Sequence, residues 1–277
     1  MVNIFEMKTF ANAKINIGLN VVEKRPDDYH NIETIFYPIG LHDVLEINEL
    51  ANCSSDYVFT QSGINIESEP EKNLIIKALR LLKNDFELPP VEISIEKNIP
   101  AGAGLGGGSS DAAFALKILN EIFRLNLNNE KLENYAVKLG ADCPVFIQNK
   151  AVLATGTGNI FSPINLSLKD YYLLLVKPNV YVSTPAAYSQ ITPCKPAKSI
   201  IDIVNQPLEC WKNTLVNDFE KSVFAQFPII EQIKNQIYNS GAIYASMSGS
   251  GSAVYGIFQE EPPLPDFYDC FVWMEKL

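Results

Sequence analysis

The sequence predicts a mixed α/β (α+β) chain arranged around one glycine-rich turn, and three observations predict it. Ile99-Pro-Ala-Gly-Ala-Gly-Leu-Gly-Gly-Gly-Ser-Ser-Asp-Ala-Ala113 puts five glycines between Gly102 and Gly108, directly before an apolar run with helical spacing. The run before it, Val91-Glu-Ile-Ser-Ile-Glu-Lys97, alternates apolar and polar residues, as a half-exposed strand of an antiparallel or mixed sheet does. Tyr171-Tyr-Leu-Leu-Leu-Val176 is continuously apolar, which marks a central, buried strand.

From the N-terminus, Met7 to Val22 reads as strand, turn or bulge, strand. Ile15, Ile17 and Leu19 share one face, and Lys14, Asn16 and Gly18 the other. A polar turn spans Lys24 to Glu33, Ile35 to Tyr37 and Val44 to Ile47 read as strands, and Asp56 to Ile66 reads as a hairpin. Asn73 to Phe86 is an amphipathic helix, with Leu74, Ile75, Ala78, Leu79 and Leu82 inward and Lys77, Arg80 and Lys83 outward, stopped by Pro89-Pro90. After the glycines, Ala112, Ala113, Ala115, Leu116, Leu119 and Ile122 recur at helical steps, so a helix begins near Ser109 or Ser110 and runs to about Leu125. A further helix spans Asn129 to Leu139. Strands are predicted at Lys150 to Thr155, Ile160 to Ile164 and Tyr171 to Lys177, and a helix starts within Val182 to Tyr188. Residues 192–213 are punctuated by prolines, and helices follow over roughly 215–226 and 229–239. A second small-residue turn, Ser246-Met-Ser-Gly-Ser-Gly-Ser252, leads into a strand from Ala253 to Phe258.

The glycine turn reads as an anion cradle. Without Cβ atoms its backbone N–H groups can approach a phosphate closely, and the first N–H groups of the following helix lack intrahelical partners and carry the positive dipole end. Gly102, Gly104 and Gly107 satisfy G-x-G-x-x-G, but a dinucleotide fold needs a buried strand before the loop and a strand after the helix. Here the preceding strand is half-exposed and a second helix follows. The Walker A lysine is also missing, since Gly108 stands in its place. A flexible surface linker is the plain alternative, and the helix start abutting the glycines argues against it.

Composition bounds the function. The chain has 277 residues, enough for one large or two medium domains, with 47% hydrophobic and 19% charged residues. A net charge of −10 argues against a nucleic-acid or polyanion surface and requires any positive potential to be local. Five cysteines (53, 143, 194, 210 and 270), without a CxxC, point to a reducing interior rather than a disulfide scaffold. The N-terminus lacks a basic n-region, and no segment reaches the roughly 18 apolar residues of a membrane span. The expectation is a soluble cytoplasmic protein.

Three places carry candidate chemistry, each beside a plainer reading. Lys14 and Asn16 point the same way; on this stretch alone a solvated face is favoured, and Lys14 gains interest only if the glycine loop faces it. Tyr29 and His30 lie side by side in a polar turn, either as surface residues or as a clamp for a planar ring. Asp142 follows Gly140 at the start of a short apolar segment, either as a helix N-cap worth about 1 kcal/mol or as a carboxylate with a chemical role.

Ala13-Lys-Ile-Asn-Ile-Gly-Leu19, the loop ending Gly-Gly-Gly-Ser-Ser-Asp111, and the turn at 246–252 occur in an order that resembles the superfamily of galactokinase, homoserine kinase, mevalonate kinase and phosphomevalonate kinase. Arg25 to Thr34, Asn73-Leu-Ile-Ile-Lys-Ala78 and Gly140-Ala-Asp-Cys-Pro-Val-Phe146 narrow the likeness to the 4-diphosphocytidyl-2-C-methyl-D-erythritol kinases of the non-mevalonate isoprenoid route. Tyr-His followed by Ile-Glu-Thr is the selective feature, because galactokinase-like relatives lack it. The stretch Arg25-Pro-Asp-Asp28 departs from the pattern by lacking the glycine often found just before Tyr-His.

The resemblance implies a two-domain fold. Its N-terminal ATP-binding domain, residues 1–160, would carry a left-handed β-α-β element around the phosphate loop, and its C-terminal domain, residues 161–277, would be ferredoxin-like. It implies ATP and Mg²⁺, and transfer of the γ-phosphate to the C2 hydroxyl of a cytidine diphosphate-linked methylerythritol. By position, Asp142 corresponds to the family's catalytic base and Lys14 to its partner. ATP would lie on Pro100, Ala101, Gly102, Ala103, Gly104, Leu105, Gly106, Gly107, Gly108, Ser109 and Ser110, with Asn73, Leu74 and Lys97 at the adenine and ribose. Asn16 corresponds to a substrate-binding amide, Tyr29 and His30 to the cytosine pocket, and Tyr188 to its second ring. No protein metal ligand is assigned. Neither nucleic acid nor membrane is an expected partner, and a monomer or weak homodimer is expected. The same scaffold would also suit a mevalonate, homoserine or sugar kinase, or a nucleotide-binding sensor; retention of both Lys14 and Asp142 speaks against the sensor.

Overall fold

The computed structural model describes residues 7–50, 54–65, 69–263 and 266–277. Its strands are β1 (Met7–Lys24), β2 (His30–Glu49), β3 (Tyr57–Gly63), β4 (Val91–Lys97), β5 (Val152–Thr155), β6 (Ile160–Pro163), β7 (Tyr172–Pro178), β8 (Tyr244–Met247), β9 (Val254–Phe258) and β10 (Cys270–Lys276). Its helices are α1 (Leu74–Asp85), α2 (Gly107–Ile122), α3 (Asn129–Val137), α4 (Val145–Gln148), α5 (Thr184–Tyr188), α6 (Ile200–Val204), α7 (Phe219–Gln226) and α8 (Pro228–Asn239).

The chain forms two compact units, one of residues 1–13, 41–101 and 106–150, the other of residues 14–40, 102–105 and 151–277. Neither unit is a single length of chain, because β1 and β2 each give one half to each. In the first unit β4 pairs antiparallel with Val44–Glu49 of β2 and parallel with β3. The alternating 91–97 run therefore sits in a mixed sheet, as its pattern required, with every second residue buried. α1 packs on α2 through the face that carries Ile75, Ala78, Leu79 and Leu82. Asn73 caps α1, its Oδ1 accepting the Ile75 N–H at 2.8 Å.

In the second unit, β2 pairs with β5 at Thr34–Phe36, and β5 with β6. A separate sheet has the order β10-β7-β9-β8 and is antiparallel throughout. Counted along the chain from β7, that order is 4-1-3-2, the ferredoxin-like arrangement. β7 is flanked on both sides, and Leu173, Leu174, Leu175 and Val176 are fully buried, which accounts for its unbroken apolar run. α8 packs against β7, β8 and β9, and its Ile230, Ile233 and Ile237 join Leu174, Val176, Met247 and Val254 in the core.

Several elements differ from the sequence reading. The first strand is continuous, with Gly18 at φ +64° taking up the irregularity expected as a turn or bulge. The two short strands expected between Ile35 and Ile47 are one 20-residue strand. The stretch from Asp56 holds one strand pairing parallel to β4, not a hairpin; Ile66 lies outside the described residues, as does Cys53. β10 and α6 were not anticipated. β10 is an edge strand whose residues are mostly half-buried, so its sequence lacks the clean alternation of β4. Cys143, Cys194, Cys210 and Cys270 are free thiols. Among the described residues, no helix is long and apolar enough to cross a membrane.

Candidate active site

The glycine loop leaves β4 at Lys97 and enters α2, which starts at Gly107, two or three residues before the expected position, with Gly106 at φ +73° as its N-cap. Gly102, Gly104 and Gly106 all have positive φ (60°, 74° and 73°), a conformation in which alternate peptide planes turn over.

Hydrogen bonds fix the tip of this loop. Ser252 N–H donates to Gly102 O (3.2 Å), Ala253 N–H to Ala103 O (3.2 Å), Ser248 Oγ to Gly104 O (2.9 Å) and Lys14 N–H to Leu105 O (3.0 Å). Four successive carbonyls are therefore turned toward the protein. In a trans peptide the C=O and the next N–H point in opposite directions, so the N–H groups of Ala103, Gly104, Leu105 and Gly106 are turned away from those donors. A Cβ on Gly104 would lie 1.9 Å from Ser248 O, so the close approach demands glycine there.

Lys14 faces this loop, the condition under which it gains interest. Its Nζ donates to Gly104 O at 3.0 Å and to Asn16 Oδ1 at 2.6 Å, and lies 4.8 Å from the centroid of the Phe36 ring. The expected solvated face is buried: Lys14 is 3% exposed and Asn16 2%. The cause is a set of polar partners invisible in a local window. Asn16 N–H donates to Ser248 Oγ (3.1 Å), Asn16 Nδ2 to Thr34 Oγ1 (3.0 Å), and Tyr255 OH to Asn16 O (2.8 Å). Thr34 and Ser248 are the residues sequence reasoning missed here; Ser248 lies within the small-residue turn that was noted, but its partner is 232 residues away.

The aromatic candidates are partly brought together. His30 stacks on Tyr188 with centroids 4.7 Å apart and planes at 24°, and Tyr188 meets Phe219 edge-on at 4.7 Å. Burial raises the Tyr188 phenol pKa above its usual value. Tyr29 is 67% exposed. In the turn before it, Asp28 adopts φ +63°, taking the backbone role of the glycine the motif lacks, and its carboxylate pairs with Lys24 at 3.2 Å.

Asp142 is half-buried in the turn before α4. The residue preceding α4 is Pro144, so Asp142 does not cap that helix. Beside it, burial pushes the Cys143 thiol up to about 11, against a hydrogen bond with Ser109 and with a smaller push from the Asp142 charge. That thiol is protonated at neutral pH and is no nucleophile. Ser110 Oγ donates to Asn12 O at 2.7 Å, and Leu74 lies 4.0 Å from where a Cβ on Gly108 would stand. Lys97 is 5% exposed, its ammonium held by Asp43 and by Asp111 at 2.5 Å. Among the described residues no cluster of three His, Cys, Asp or Glu side chains can hold a metal ion.

Family models identify the architecture: GHMP kinases N terminal domain over residues 73–150 and GHMP kinases C terminal over residues 201–271. The chain is a GHMP kinase, a class of enzyme that uses ATP as phosphoryl donor for a small molecule. A 4-diphosphocytidyl-2-C-methyl-D-erythritol kinase of Bacteroides fragilis is 58% identical over 273 residues, covering 98% of this chain and 100% of its own length. One of Parabacteroides distasonis is 56% identical over 274 residues, with the same coverage of 98% and 100%. A solved structure, that of a 4-(cytidine 5'-diphospho)-2C-methyl-D-erythritol kinase, is 31% identical, spans 91% of this chain and 90% of its own, and superposes with a TM-score of 0.79. The chain belongs to the family of 4-diphosphocytidyl-2-C-methyl-D-erythritol kinases.

Proposed function

We infer that the protein transfers the γ-phosphoryl group of ATP to the C2 hydroxyl of 4-diphosphocytidyl-2-C-methyl-D-erythritol, a step of the non-mevalonate isoprenoid route. The family relationship supports the substrate. The observation that carries the chemistry is the buried Lys14 ammonium on Gly104 O, which puts a fixed cation at the glycine loop.

Phosphoryl transfer asks a protein for positioning and charge neutralisation more than for covalent help. The N–H groups of residues 103–106 and the α2 dipole hold the phosphates of ATP, with Pro100 to Ser110 forming the cradle. Asn73 and Leu74 lie at the adenine and ribose. Asp142 accepts the proton of the attacking hydroxyl, and Lys14 steadies charge on the reacting atoms. Asn16 keeps a second Nδ2 hydrogen for the polyol after donating to Thr34. Tyr29, His30 and Tyr188 take the cytosine ring, and this binding remote from the chemistry orients the acceptor. Mg²⁺ would accompany the nucleotide, held mainly by phosphate oxygens and water, and would supply charge neutralisation on the phosphates. The enzyme works in the cytoplasm as a monomer or weak homodimer, without nucleic acid or membrane.

ADP release from Mg-ATP tests this reading, with the cytidylated polyol set against mevalonate, homoserine and galactose. Turnover with the cytidylated polyol alone is expected, and Asp142→Asn should lower kcat by roughly 10²–10⁴-fold. Turnover with a different acceptor, or an Asp142→Asn enzyme of full activity, would overturn the substrate or the base.

A further inference from the structure

Three ionisable side chains form a closed set at the root of the glycine loop. Asp43, Lys97 and Asp111 are 0%, 5% and 4% exposed. The Lys97 ammonium donates to Asp43 Oδ2 and to Asp111 Oδ2, the latter at 2.5 Å. The other Asp43 oxygen accepts two successive backbone N–H groups, Asn98 at 2.6 Å and Ile99 at 2.8 Å. Those two residues lead into the loop at Pro100, and Asp111 lies in the second turn of α2, just past Ser110.

Burying two carboxylates and an ammonium is costly, and apolar side chains of similar volume often hold a core as well or better. Stability is therefore a poor reason for this set. The better-attested use of a buried ionic group is to specify one arrangement among several, and the arrangement specified here is where the loop begins and ends. The exit has little room to relax, because a Cβ on Gly107 would stand 3.0 Å from Ile99 Cγ2 and 3.6 Å from Asp43 Oδ2. Burial raises the Asp111 pKa to about 8 against the pull of Lys97, with the Asp43 charge adding to the rise. Burial also opposes the charge on Lys97, but the two carboxylates outweigh it and raise that pKa, so the ammonium stays charged.

We propose that Asp43, Lys97 and Asp111 are positioning residues that clamp the two flanks of the glycine loop and set how well its N–H groups fit the phosphates of ATP. The proposal rests on the kinase reading above. It moves the Lys97 side chain from the adenine and ribose to the loop itself, because its ammonium is already held by two carboxylates.

Calorimetric binding of Mg-ATP and of adenosine to Lys97→Met separates the alternatives. A clamp predicts that Mg-ATP affinity falls about tenfold, that KM for ATP rises in parallel, and that adenosine affinity and KM for the acceptor stay within twofold. Adenosine makes no use of the loop, so a parallel loss of adenosine affinity would instead make Lys97 a nucleoside ligand and overturn the proposal. Unchanged Mg-ATP affinity in a folded variant would overturn it equally. Should Lys97→Met fail to fold, Asp43→Asn carries the same test, since it removes one charge and keeps an oxygen for the two N–H groups. The readouts also separate the two readings. A wild-type protein that binds Mg-ATP but does not phosphorylate the cytidylated polyol would sink the proposed function, while the binding data would still decide the clamp.

Discussion

The glycine loop is held in two different ways along its length. At the flanks, charged side chains do the holding: Asp43 takes the N–H groups of Asn98 and Ile99, and Lys97 ties Asp43 to Asp111. At the tip, the backbone itself is packed against a second turn, with Gly104 so close to Ser248 that no side chain fits. Electrostatic positioning is graded, because a lost charge can be partly replaced by a dipole or a water. Steric positioning is not graded, because an atom that does not fit must displace its neighbours. The tip is therefore expected to be all-or-none, and the flanks tunable.

Gly104→Ala breaks the comparison at its stronger end. Its Cβ would meet Ser248 O at 1.9 Å, and the contact must open by roughly 1 Å before it reaches 3.0 Å, the shortest that real Cβ atoms show. Positive φ at this residue adds strain for any L side chain. A displacement of that size in the proposed phosphate cradle lowers kcat/KM by about 100-fold or more. Steady-state kinetics checks it, and an enzyme within tenfold of wild type would mean that the tip yields as easily as the flanks.

The flanks are probed more gently by Asp111→Asn. The folded-state pKa of Asp111, about 8, lies above that of an unfolded aspartate. Between those values the folded state binds more protons than the unfolded state, so stability from this group is fully present below the unfolded pKa. It is lost progressively as pH rises toward and through about 8. Asn mimics the protonated acid at every pH. The wild type should therefore lose several degrees more in Tm than Asp111→Asn between about pH 6 and pH 9. Thermal melts at the two pH values decide it. Equal slopes for the two proteins would show that Asp111 does not hold its proton in this range and that the charge balance at the flanks is different.

The contrast between tip and flanks also explains what could be read from the sequence. The loop, the helix behind it, the alternation of β4 and the burial of β7 were legible because each is a local pattern whose cause lies within about ten residues. Lys14 and Asn16 were legible as candidates, yet their environment was not. A strand face bearing lysine and asparagine looks solvated until Thr34, Ser248 and Gly104 close over it, and these lie 18 to 232 residues away. Asp43 was unremarkable in sequence for the same reason, since its partners Lys97, Asn98 and Ile99 are 54 to 56 residues distant. For β1 and β2 the local pattern predicts shorter or interrupted strands. Both are long strands whose polar positions find polar partners instead.

The smallest expected effect isolates the reason glycine is required at the tip. Asp28 and Gly104 share the same left-handed backbone, at φ +63° and +74°, but Asp28 is an exposed residue in a surface turn. Asp→Gly there relieves left-handed strain worth about 1 kcal/mol and forfeits an exposed Lys24 pair worth less than that, while a freer unfolded chain offsets part of the gain. The net change in stability should be below about 1 kcal/mol in either direction, with kcat/KM within twofold. Denaturant melts and steady-state kinetics on Asp28→Gly measure both. If that variant were as damaged as Gly104→Ala, backbone conformation would be the common cause. If only Gly104→Ala fails, positive φ is affordable for an L-residue in this fold, and it is the approach of the Ser248 carbonyl that reserves the tip of the loop for glycine.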